Sequence, residues 1–88
     1  MKKLILDSER ISDRDSLHTT LKRVLNFPDY YGRNLDALRD CLTDVSEEVM
    51  IYIDLGEIHE KLGGYAYSVV EVLRDSANEN NRVHVTII

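Results

Sequence analysis

The sequence predicts an α/β fold: a three-stranded parallel sheet with three main helices and one short helical turn. Three observations carry this. Three short runs rich in β-branched and apolar residues, at 3–6, 49–53 and 83–88, read as strands. Between them the apolar residues recur at helical spacing. Strands that alternate with helices pair in parallel through crossover connections. With only three strands, the helices are expected mainly on one face of the sheet.

The first strand is an apolar run stopped by the polar Asp7-Ser8-Glu9. Ser12 or Asp13 then offers an N-cap, with Asp15 in the first turn, where a negative charge suits the helix dipole. Leu17, Leu21, Val24 and Leu25 follow at i, i+4, i+7 and i+8, and Phe27-Pro28 closes the helix because a residue before proline avoids the α region. Pro28 is the sole proline, so Phe27–Pro28 is the one prolyl bond open to a cis form.

Asn34 can cap the second helix, whose buried stripe is Leu35, Leu38, Cys41, Leu42 and Val45. After the central strand, residues 57–62 form a short helical turn ended by Gly63-Gly64. Ala66, Val69, Val70, Leu73 and Ala77 mark the last helix, and Asn78-Glu79-Asn80-Asn81 turns into the third strand.

Eighty-eight residues make a single domain, residues 1–88, with a small core: a chain this size buries about 60–65% of its unfolded surface. Apolar residues are 43% and charged ones 31%, the balance of a folded domain. Eleven basic and 16 acidic residues give a net charge of −5. Nucleic-acid binding draws on lysines and arginines that neutralise phosphates, so an acidic chain without a basic run is expected not to bind nucleic acid and to attract basic proteins instead. Cys41 is the lone cysteine, which excludes an internal disulfide. The apolar start ends at Asp7, too short for a signal peptide, and no run approaches the ~20 apolar residues of a membrane span. The expected location is the cytoplasm, with no membrane contact.

The most informative segment is Pro28-Asp-Tyr-Tyr-Gly-Arg-Asn-Leu-Asp-Ala-Leu-Arg-Asp-Cys-Leu42. It sets Tyr30, Tyr31 and Gly32 directly before a helix that carries Asp36, Asp40 and Asp44, each four residues after the last. Such residues stack on one face, and like charges there cost a few tenths of a kcal/mol per pair. A solvated face accounts for most such rows. The neighbouring tyrosines favour a binding face, because tyrosine supplies contact area at low entropic cost. Asp75, four residues after Glu71, extends the acidic surface if the two helices share an edge, and Glu71 can pair with Arg74.

Other chemistries fit poorly. A glycosidase-type carboxylate pair needs a cleft, not one helix face. His59-Glu60 opens like a zinc motif, but Gly63 stands where the second histidine belongs. His18, His59 and His84 are scattered and read as surface or strand-packing residues. Cys41, on an apolar stripe, reads as a small buried hydrophobe. No phosphate-binding glycine motif is present. No metal or cofactor is expected, and no enzyme activity.

The run Tyr30-Tyr-Gly-Arg-Asn-Leu-Asp-Ala-Leu-Arg-Asp-Cys-Leu42 closely resembles the barstar family, intracellular inhibitors of barnase-type secreted ribonucleases. The likeness extends more loosely over the first helix, the late helix and the closing strand. It implies a barstar-like three-stranded fold and a ribonuclease as partner, with the free chain a monomer. It also implies roles. Asp40 matches the carboxylate that takes a phosphate position in the enzyme, Asp36 a second ion-pair partner and Tyr30 an aromatic lid. Tyr31, Gly32, Asn34 and Leu35 match the contact loop, and Asp75 a peripheral glutamate. Arg39 stands where the family representative has a contacting tryptophan, and Arg33 where it has a glutamate. Both put positive charge on a face meant for a basic enzyme and point to a different ribonuclease, or to another basic protein bound by the same face.

Overall fold

The computed structural model describes residues 1–88. The chain runs β1 (Lys2–Leu6), α1 (Arg14–Leu25), α2 (Leu35–Thr43), β2 (Val49–Ile53), α3 (Leu55–Leu62), α4 (Tyr65–Glu79) and β3 (Val83–Ile87). The three strands form one parallel sheet in the order β1-β2-β3, as the alternation predicts.

Register aligns Leu4 with Ile51 and Val85, and Leu6 with Ile53 and Ile87. These residues, with Val49 and Val83, form the inner face of the sheet; Leu4, Leu6, Val49, Ile51, Ile53 and Val83 belong to one core of 19 buried residues, and the half-buried Val85 and Ile87 pack against it. The helices supply Leu17 and Leu21 from α1, Leu38 and Leu42 from α2, Ile58 from α3, and Ala66, Val69 and Leu73 from α4. The alternate strand positions, Lys3, Ile5, Met50, Tyr52, His84 and Thr86, are exposed or half-buried, so the helices cover one face only. No helix is long and apolar enough to cross a membrane.

Local chemistry sets the helix ends. Asp13 caps α1: its Oδ1 accepts from Ser16 N–H at 2.7 Å, and the Ser16 hydroxyl accepts from Asp13 N–H at 3.0 Å. The helix ends at Asn26, whose left-handed backbone (φ 57°) asparagine tolerates better than most residues. The Phe27–Pro28 bond is trans.

The expected short turn at 57–62 is a full two-turn helix. It starts two residues earlier because Asp54, the residue after β2, accepts from Glu57 N–H at 3.1 Å and caps it. Gly63 takes a left-handed φ of 60° where α3 stops, which suits a residue without a Cβ. α4 runs two residues past Ala77, to Glu79.

Candidate functional site

The two adjacent tyrosines point in opposite directions. Tyr30 is 87% exposed and Tyr31 5%. Tyr31 packs its ring against Phe27 at a centroid distance of 5.0 Å, and its hydroxyl meets His18 Nδ1 at 2.6 Å. His18 Nε2 meets the Tyr65 hydroxyl at 2.9 Å. One buried imidazole thus joins α1, the 28–34 loop and the start of α4. A neutral imidazole has one donor and one acceptor, so one tyrosine donates to the bare ring nitrogen and the other accepts from the ring N–H.

Electrostatics keep this chain neutral. Burial, then the nearby Arg33 charge, lowers the His18 pKa below 6.5, with Asp15 opposing. Burial is also the leading cause that raises the Tyr31 and Tyr65 hydroxyls above their ordinary range. Arg14 lies over the Tyr65 ring, 4.0 Å from its centroid. His18 is therefore neither a surface nor a strand-packing residue, in contrast to the sequence reading. The signal was present: His18, Leu21 and Leu25 share the i, i+3, i+7 spacing of one helix face. By contrast, His59 is exposed beside Tyr67, and the exposed His84–Glu48 contact, 2.6 Å, sits at the sheet.

The loop is held at two points. Gly32 has no left-handed φ; its constraint is space, because a Cβ there would lie 3.2 Å from the Ala37 Cβ. The left-handed residue is Arg33, at φ 56°. A side chain in that region costs about 1–2 kcal/mol, and its guanidinium is anchored in return. Arg33 Nη2 donates to Asp15 Oδ1 at 2.7 Å, to the Asp15 carbonyl at 2.9 Å and to Thr19 Oγ1 at 2.6 Å, all on α1.

Asn34 caps α2 as the sequence predicts, its Oδ1 accepting from Ala37 N–H at 2.8 Å. Leu35 is half-buried, and Leu38 and Leu42 are fully buried. Asp36, Asp40 and Asp44 are all exposed on the other side of α2. Most other acidic side chains near a cation are paired: Asp7 with Arg10, Asp15 with Arg33, Asp29 with Lys22, Glu47 with Lys2. None of the three α2 aspartates has an internal cation partner. Cys41 is half-buried on the same helix, and burial, then Asp44 and Asp40, raise its thiol pKa and keep it protonated.

Arg39, inside the aspartate row, turns toward α4. Its Nη1 lies 3.7 Å from Asp75 Oδ2, and its Nη2 donates to Glu79 Oε1. Asp75 is thereby engaged within the chain. Arg74 and Glu71, expected to pair, form no ion pair. Asn80, which sequence reasoning passed over as a turn residue, closes α2 from below. Its Nδ2 donates to the Leu42, Thr43 and Val45 carbonyls at 3.0, 3.4 and 2.9 Å.

Two hollows flank the loop. One of about 530 Å³ lies between α1 and the start of α2 and includes Arg33, Asn34 and Asp36; the other, about 420 Å³, includes Phe27, Tyr30 and Asp44. Asp40 lines neither. The three carboxylates therefore do not converge on one cleft, as a carboxylate-pair hydrolase requires.

The whole chain, residues 1–88, matches the family described as barstar (barnase inhibitor). The chain belongs to the barstar family. It is also 43% identical over 81 residues to a Bacillus subtilis (strain 168) protein named "Putative ribonuclease inhibitor YrdF", an alignment that covers 90% of this chain and 89% of the relative. The barstar-like fold expected from the Tyr-Tyr-Gly segment is the fold observed: three parallel strands in one sheet with four helices.

Proposed function

We propose that this barstar-family chain is a cytoplasmic, non-enzymatic inhibitor that caps the active site of a barnase-class ribonuclease with the 30–34 loop and the exposed face of α2. The observation that carries the reading is the contrast on α2: Asp36 and Asp40 are exposed without an internal cation, next to a tyrosine that is 87% exposed. A ribonuclease site is built to hold phosphate, so carboxylates supplied by an inhibitor satisfy the same cations. Asp40 is the lead charge, Asp36 supports it, and Tyr30 covers the enzyme surface beside them. Asn34, Gly32 and the buried Tyr31 fix the loop, and Leu35 adds apolar contact at its edge. The net charge of −5 favours encounter with a basic enzyme.

The second reading, a module for a different basic partner, drew on Arg33 and Arg39. Both guanidiniums are neutralised by carboxylates of this chain, which supports the ribonuclease reading over it.

An RNA-cleavage assay with barnase tests the proposal. The chain is expected to block cleavage, and Asp40→Ala to weaken the block by roughly thirtyfold or more, the cost of a central interface hot spot. Undiminished cleavage with the native chain in excess would refute the inhibitor reading for this enzyme class.

A further inference from the structure

Arg39 reaches across from α2 to the two carboxylates of α4 that are one helical turn apart. Asp75 Oδ2 lies 3.7 Å from its Nη1, and Glu79 Oε1 accepts from its Nη2. Asp75 and Glu79 occupy the i, i+4 positions of one helical face, where like charges repel, and a single guanidinium with five donors in a planar fork can serve both. The three side chains are 45–51% exposed. Exposed ion pairs add little to stability, so the consequence of this arrangement lies in the surface charge. Two carboxylates that would otherwise stand free on the surface are instead held by a cation of the same molecule.

We propose that Arg39 is a specificity-determining clasp: it withholds Asp75 and Glu79 from a basic partner and confines the charged contact to Asp36 and Asp40. The inference rests on the inhibitor reading above. A partner cation that seeks Asp75 must first displace Arg39, and an enzyme whose only reachable charges are those at its phosphate site loses nothing. The clasp therefore sorts basic partners by where their charges sit, not by how many they carry. Arg33, the other arginine near the face, has no such effect, because its carboxylate partner is Asp15 on α1 and not an acidic residue of α4.

Two measurements test this. The first needs no partner. The guanidinium ¹⁵N–¹H resonances of Arg39 should report a held side chain, and Glu79→Gln should shift them while Glu71→Gln should not. Arg39 resonances unmoved by Glu79→Gln would overturn the clasp whatever any nuclease does.

The second is a cycle of barnase dissociation rates at about 0.5 M salt, where long-range charge effects are screened. With Arg39 present, the paired change Asp75→Asn with Glu79→Gln should alter the rate by less than about twofold. Arg39→Gln should slow dissociation about threefold, and in that background the same paired change should restore the original rate. An equal effect of the paired change in both backgrounds, or faster dissociation in Arg39→Gln, would overturn the proposal. Absence of any inhibition by the native chain would instead overturn the inhibitor reading, and the assigned contact with it, while the resonance experiment separately decides whether the clasp exists.

Discussion

The Tyr31 hydroxyl sits 2.6 Å from Nδ1 of His18, joining the loop before α2 to the middle of α1. Through Nε2 the same ring reaches Tyr65, at the first residue of α4. The loop that carries Tyr30 outward is thus pinned by the residue next to it, and the pin is a buried polar contact with few alternatives.

Tyr31→Phe removes one hydroxyl and leaves a ring nitrogen of a histidine that is 2% exposed without its partner. An unsatisfied buried polar group costs about 1–3 kcal/mol. Urea unfolding should show a loss in that range with an unchanged m-value. Inhibition should weaken less than with Asp40→Ala, because the charged face itself is intact.

Acid should destabilise the chain through His18. Its folded pKa is lowered from 6.5, chiefly by burial and then by Arg33. Below 6.5 the unfolded chain takes up a proton that the folded chain resists, so stability rises with pH there and falls as pH drops. The contribution is present in full above 6.5 and is lost as pH falls toward the lower folded value. Urea midpoints at about pH 7.5 and 5.5 should differ more for the native chain than for His18→Gln. Parallel pH dependence in the two proteins would show that His18 is not the titrating group.

Asn80→Ala should loosen the end of α2. The amide serves three carbonyls, those of Leu42, Thr43 and Val45, which no other side chain reaches. The expected cost is about 1–2 kcal/mol by urea unfolding. Hydrogen exchange should speed up at the end of α2 while its capped start, at Asn34, stays protected.

Asp44 and Asp40 should separate cleanly. Asp44 is the C-cap of α2, where a negative charge opposes the helix dipole. Asp44→Asn is expected to stabilise the fold by about 0.3–1 kcal/mol and to leave inhibition within about twofold. Asp40→Ala should do the reverse, with little change in stability and a large loss of inhibition.

Most of the fold was legible because it rests on local periodicity. The three strands, the caps at Asp13 and Asn34, and the stripes of α1, α2 and α4 follow from side-chain spacing within a few turns. The start of α3 was missed because Asp54 follows β2 directly and caps α3 at once, so no connecting segment separates strand from helix.

The site divides along the same line. The aspartate row and the tyrosine pair are sequence facts, since i, i+4 spacing on a helix fixes a face. Which tyrosine faces water is a tertiary fact, decided by the Phe27 and His18 rings, which only the folded chain brings together against Tyr31. So are the fates of the arginines. Arg33 and Arg39 look from the sequence like charges offered to a partner, yet their own partners lie 18 residues away at Asp15 and 40 at Glu79. The sequence by itself determined the three strands, the stripes of α1, α2 and α4, the acidic face and the family. Only tertiary structure decided which charges remain free on that face, because an ion pair depends on where two distant elements pack and not on the order of residues within either.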